Sequence, residues 1–220
     1  MTPSLFALGG IAGTSFALAL SGALMPGPLL TMTVAEAAHR GTRAGPLVIT
    51  GHAMLELLLV VTLIKGLGQY LKASHVIGSI SLAGGIILLF MGGDMIRKAL
   101  TLSLQQEAVS GNKRSSGYPV FLGIMGSLVN PYWILWWVTI GLGYMETARH
   151  FGTSGIVAFF LGHITADYGW YILVALGISR GKSVISDTGY RRMIRCCGFF
   201  LLCFGFWFLS SGVNYFLYGI

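Results

Sequence analysis

The chain has 220 residues, 55% hydrophobic and only 10% charged, with a formal net charge of +7. A soluble domain of this size carries about 25% charged residues, so the composition excludes a soluble globular fold and points to a polytopic membrane protein. The positive charge does not imply a nucleic-acid partner, because the basic residues lie in short loops between apolar runs, the pattern of positive-inside topology.

Six apolar stretches are long enough to cross a hydrocarbon core of about 30 Å. The first lies near residues 5–34. No basic residue precedes it and the first charged residue is Glu36, so it is expected to stay as a transmembrane helix rather than be cleaved as a signal peptide. Met25-Pro26-Gly27-Pro28 lies well inside it. Each proline removes a backbone donor and clashes with the preceding turn, so the helix is expected to break there.

The second stretch, near 45–64, carries Gly51-His52-Ala53-Met54-Leu55-Glu56; the third, near 76–96, carries Gly85 and Gly92. Between Arg97 and Gly117 comes the longest polar segment, rich in Ser, Gln, Lys and Arg, which reads as a cytoplasmic linker. The fourth stretch, near 119–143, contains Asn130-Pro131-Tyr132, a second expected break, among Trp133, Trp136 and Trp137. The fifth, near 154–178, carries Gly162-His163-Ile164-Thr165-Ala166-Asp167, and the sixth, near 194–217, carries Gly198 and Gly205. Asp94 and Glu146 fall near helix ends and are expected at the interface. Cys196, Cys197 and Cys203 all fall in the last run, so no disulfide framework or zinc site is legible, and they read as buried small hydrophobes.

The second and fifth stretches share the pattern Gly-His-x-x-x-acid, 111 residues apart. Pro26 and Pro131 correspond at an offset of 105, and the Gly85/Gly92 pair corresponds to Gly198/Gly205 at 113. Residues 1–96 and 118–220 are therefore expected to be two three-helix repeats joined by the linker 97–117. Three helices per half forces opposite entry into the membrane, which makes an inverted-topology repeat. The expected fold is all-α, with six transmembrane helices and breaks in helices 1 and 4. The loops after helices 1, 3 and 5 hold eleven Lys and Arg residues, against Lys65, Lys72 and Arg149 on the other side. That asymmetry puts those loops in the cytoplasm and both termini outside.

An acid at the centre of a membrane helix costs roughly 2.5–3.5 kcal/mol on insertion scales and usually has a function. His52 lies one turn from Glu56, and His163 one turn from Asp167, so each pair shares a helix face. Inverted repetition would bring both pairs to the protein centre. There they could carry protons, bind one another to fix helix packing, or complete a four-ligand site for a divalent cation. Matched breaks in two halves point to a substrate site in secondary transporters. The aromatic residues Tyr132, Trp133, Trp136, Trp137, Tyr168, Trp170 and Tyr171 could wall it and offer a cation–π face to an ammonium group. Most of the 32 glycines read as close helix packing.

The segment around Pro26, with Gly41 and Gly45 after it, resembles the LysE family of amino-acid exporters over nearly the whole chain. The matching positions are Pro26, Gly27, Pro28, Asn130, Pro131 and Asp167. Where family members commonly carry Lys after the Asn-Pro pair, this chain has Tyr132 and then Trp133. The resemblance implies an inner (plasma) membrane transporter, not an enzyme, that exports an amino acid or similar small metabolite by proton exchange. Pro26, Gly27, Pro28, Asn130, Pro131 and Tyr132 would line the substrate path, with Glu56, Asp167, His52 and His163 coupling it to protons. The alternative is a divalent metal exporter of the same superfamily, with His52, Glu56, His163 and Asp167 as ligands. No cofactor is implied; the expected partners are a small-molecule substrate, membrane lipid and a second copy in a homodimer. A thiol–disulfide carrier needs cysteines in both halves, and a membrane hydrolase needs a Ser/His/Asp or HExxH arrangement; neither pattern is present.

Overall fold

The computed structural model describes residues 4–67, 70, 73–101, 115, 117–181 and 186–218. Among them the chain is all-helical, as its composition predicts. Most of the linker, residues 102–114 and 116, lies outside the described residues.

Helix α1 spans Leu5–Ala23, and the Ser4 hydroxyl caps it by accepting the Ala7 N–H at 3.2 Å. The chain then breaks at residues 24–27, with Gly27 extended, and resumes as α2, Pro28–Arg40. Pro28 starts α2 at the one turn where a missing N–H costs nothing. A short 3₁₀ turn, Gly41–Arg43, joins α2 to α3, Ala44–Thr62. Gly41 has φ of 69°, a conformation that side chains resist, and so separates two helices whose combined length exceeds one crossing. After α3 come α4, Ser74–Lys98, and α5, Tyr118–Leu128. Asn130 then interrupts the chain, and α6, Pro131–Trp136, begins. A widened π-type turn, Trp137–Gly141, leads into α7, Leu142–Arg149. Two long helices, α8, Gly152–Gly181, and α9, Asp187–Tyr218, complete the described chain.

Five of these stretches are long and apolar enough to cross a membrane, and the pair 118–128 with 132–149, bent by 65°, makes a sixth. Both expected breaks are present, at residues 24–27 and at Asn130. The span limits shift outward: α8 and α9 begin at Gly152 and Asp187, and α2 runs on to Arg40 rather than stopping at 34. Polar first and last turns continue a helix into the headgroup region, where hydropathy no longer marks it. Asp94 and Glu146 lie near helix ends, paired with Lys98 at 2.7 Å and Arg149 at 3.3 Å.

Glycines set the closest helix crossings. Helices α4 and α9 pack antiparallel along their length. A Cβ on Gly92 would stand 2.6 Å from the Gly198 carbonyl, and one on Gly205 would stand 3.0 Å from that of Gly85. At the α3–α5 crossing, Gly51 abuts the Val120 carbonyl and Gly123 abuts that of Val48; at the α1–α8 crossing, Gly162 abuts the Ala12 carbonyl. Both glycines of the repeated motif therefore seat the His and acid that follow them. Gly92→Val is expected to force α4 from α9 and lower the thermal midpoint in detergent, at a cost of about 1–3 kcal/mol. Gly93→Val, with open space at its Cβ, is the control; equal midpoints would rule out close backbone contact at Gly92.

The cysteines depart from expectation. Cys196 and Cys203 are exposed and Cys197 is only partly covered. In a bilayer the outer face of a helix is as apolar as the inner one, so apolar character does not place a side chain inside. Phe90, Phe199 and Phe206 are exposed on the same grounds.

Candidate functional site

His52 and Glu56 project from one face of α3, and His163 and Asp167 from one face of α8, one helical turn apart in each case. The two helices pack together, and all four side chains are buried, Glu56 completely. They form an alternating ring of imidazole and carboxylate. His52 Nε2 lies 3.2 Å from Glu56 Oε1 and 3.7 Å from Asp167 Oδ2. His163 Nε2 lies 3.2 Å from Glu56 Oε2 and 3.4 Å from Asp167 Oδ2. Each imidazole thus faces two carboxylates, and each carboxylate two imidazoles.

Three further helical segments hold the ring. Trp133 on α6 and Trp137, four residues later in the widened turn, both donate their indole N–H to Glu56 Oε1 at 2.9 Å. From α5, Ser127 Oγ lies 2.6 Å from His52 Nδ1 and donates to the Gly123 carbonyl at 2.8 Å. A hydroxyl has one proton to donate. With that proton directed at Gly123, Ser127 accepts from His52 Nδ1–H, which aims Nε2 at the two acids. His163 is walled by the rings of Trp136 and Trp137, with centroids 4.8 and 5.2 Å away. Glu56 Oε2 and Asp167 Oδ2 receive no hydrogen bond among the described residues.

The four ring side chains line a crevice whose cavity volume is about 40 Å³, room for a few water molecules. Gly22, Met25 and Gly27 line it from the first break, Asn130, Tyr132, Trp133 and Trp136 from the second, and Tyr171 from α8. Among the described residues no Lys or Arg lines it. The two breaks touch: a Cβ on Gly27 would meet Asn130 Nδ2 at 3.6 Å, and Asn130 Oδ1 accepts the Tyr132 N–H at 3.1 Å. Pro26 faces a smaller adjoining recess with Asn130 and Tyr132. Pro28 is buried at the start of α2, outside the crevice lining, and Pro131 starts α6.

The aromatic residues divide. Tyr132, Trp133, Trp136 and Tyr171 line the crevice, whereas Trp137 stands behind Glu56. Tyr168 bonds Thr50, and Trp170 lines an apolar groove with Val34 and Val174 instead. Sequence reasoning missed Ser127. It carries no motif of its own, and its only signal is its place three residues before the Asn130 break.

A family model described as LysE type translocator matches residues 20–212. No curated protein and no solved structure matches the chain.

Proposed function

The chain belongs to the LysE type translocator family, and from that premise we propose that it is a secondary transporter of the inner membrane that exports an amino acid or similar small metabolite in exchange for protons. The carrying observation is the ring of two imidazoles and two carboxylates, which lines one crevice together with residues of both helix breaks. A proton arriving at this ring always finds a base facing an acid, so it can pass between α3 and α8 without leaving an isolated charge. An ionisable group in a membrane interior marks such a pathway by default.

The crevice suits a cargo with an amine. Asp167 and the faces of Trp133, Trp136 and Tyr171 offer an ammonium group both a counter-charge and cation–π contact. Among the described residues a cargo carboxylate has no Lys or Arg to meet there, and both imidazoles already face Glu56 and Asp167. It would instead meet the start of α2, where Gly27 supplies no side-chain cap and the helix dipole favours negative charge. The missing Lys after Asn-Pro is thereby offset by backbone N–H groups.

The reciprocal crossings support the repeat reading. Gly51 of one motif rests on α5 and Gly162 of the other on α1, so each leans on the first helix of the opposite half. The charge asymmetry supports cytoplasmic loops after helices 1, 3 and 5. With the native cysteines replaced, a cysteine at Ser4 is expected to label from outside and one at Thr42 only after permeabilisation; the reverse pattern would invert the topology.

Proteoliposomes with a pH gradient test the function. A panel of amino acids and related amines is expected to contain a class that accelerates collapse of the gradient. Collapse at the protein-free rate across the whole panel would sink the reading.

A further inference from the structure

We infer that His52, Glu56 and Asp167 form a binding site for one divalent first-row transition metal ion, of the Zn²⁺ or Co²⁺ type, with His163 and Ser127 positioning the ligands. The inference deepens the reading above, because the groups that exchange protons there are the groups that take the ion here.

Donor spacing is the first ground. One ligand atom from each of the three lies within 4.8 Å of the others. Tetrahedral coordination with metal–ligand bonds of about 2.0–2.1 Å separates neighbouring donors by about 3.3 Å. His52 Nε2 stands 3.2 Å from Glu56 Oε1 and 3.7 Å from Asp167 Oδ2, and a rotation of the Glu56 carboxylate that turns Oε2 toward His52 would leave Oε1 to the indoles.

Unused acceptors are the second ground, and they are independent of spacing. Glu56 Oε1 accepts both indole N–H groups, whereas Oε2 and Asp167 Oδ2 are buried, take no well-aligned hydrogen bond among the described residues, and meet only imidazole nitrogens, at 3.2–3.7 Å. An orphaned buried acceptor requires an explanation, and an ion between the two oxygens supplies one.

Orientation is the third. A metal-binding imidazole characteristically donates its other ring N–H to a neighbour that fixes its tautomer. Ser127 takes that N–H from His52 Nδ1, leaving the Nε2 lone pair directed at the carboxylates. From the far side, His163 Nε2 bridges Glu56 Oε2 and Asp167 Oδ2 at 3.2 and 3.4 Å. Three protein ligands leave one coordination position open. A nitrogen ligand beside two carboxylates favours Zn²⁺ or Co²⁺ over Mg²⁺ or Ca²⁺.

The test is Co²⁺ titration of the chelator-treated, purified protein in detergent, read by visible absorption and by calorimetry. One ion per chain is expected, with the intense bands of four-coordinate Co²⁺, persisting in excess Mg²⁺. Asp167→Asn and His52→Gln should each weaken binding by more than about 100-fold, beyond the range for residues outside the ligand shell. Ser127→Ala should weaken it about 10–100-fold and Ser127→Thr should restore it. Asp94→Asn, in an exposed acid, should bind as the wild type does. Each variant is compared only where its elution and thermal midpoint match the parent. Absence of binding to the wild-type protein overturns the inference, as does undiminished binding in Asp167→Asn or Ser127→Ala. Gradient-driven export without Co²⁺ binding would refute the ion site and leave the transport reading standing; Co²⁺ binding with no export would do the opposite.

Discussion

Proteoliposomes carrying the Glu56→Gln, Asp167→Asn double variant are expected to show no proton-driven efflux above the protein-free rate. Both substitutions keep the side-chain shape, and the amide introduced at position 56 still offers an oxygen to the Trp133 and Trp137 indoles, so the fold should survive. What disappears is the ability of α3 and α8 to hold exchangeable protons on carboxylates. In the ring each imidazole faces both acids, at 3.2–3.7 Å. Losing one acid leaves each imidazole one partner, and losing both leaves none. The single variants should therefore retain measurable flux and the double variant should not. Counterflow of labelled cargo without a gradient separates coupling from binding in the Glu56→Gln single variant, which keeps the Asp167 counter-charge: a coupling role predicts that its counterflow falls less than its gradient-driven efflux. Undiminished gradient-driven transport in the double variant would falsify the coupling role and leave both acids as packing groups.

Glu56→Ala should do something different, and larger, to the fold itself. Glu56 is completely buried and is the acceptor for two indole N–H groups as well as the partner of two imidazoles. Truncation orphans both indole donors, each at about 1–3 kcal/mol, and opens a cavity among Trp133, Trp137 and His163. Removing one member of a buried charged cluster typically costs about 3–5 kcal/mol. A protein whose whole stability is about 5–15 kcal/mol would lose much of it. The expected result is a thermal midpoint far below that of Glu56→Gln, with poor recovery from the membrane. Trp137→Phe, harmful in the wild type, should cost little more once Glu56 is gone, because the two share one hydrogen bond. A midpoint for Glu56→Ala equal to the parent's would mean that the indoles do not depend on this carboxylate.

The broken helices and the ring were legible in the sequence for a specific reason. A proline inside a membrane-length apolar run and an acid inside another are both costly, and costly residues stand out against an apolar background. His52, Glu56, His163 and Asp167 could be paired on their faces from i, i+4 spacing alone, and the repeated Gly-His-x-x-x-acid pattern linked the two pairs. The spacing of Gly85 and Gly92, repeated at Gly198 and Gly205, read in the sequence only as a sign of duplication; that these glycines form the α4–α9 seam is a finding of the structure.

Periodicity within a helix, however, carries no information about which helix lies opposite. That Trp133 and Trp137 converge on one oxygen of Glu56 depends on how α6 and the turn after it lie against α3. That Ser127 orients His52 depends on α5 crossing α3 at Gly51 and Gly123. Hydropathy also could not sort inside from outside, since lipid and core are equally apolar, and so Cys196 and Cys203 were misplaced. The sequence by itself determined the membrane class, the breaks and the four ionisable groups, because each is a local choice against solvent or lipid. Tertiary structure alone decided the alternating order of the ring, its tryptophan and serine supports, and the crevice it lines, because these arise from contacts between segments distant along the chain.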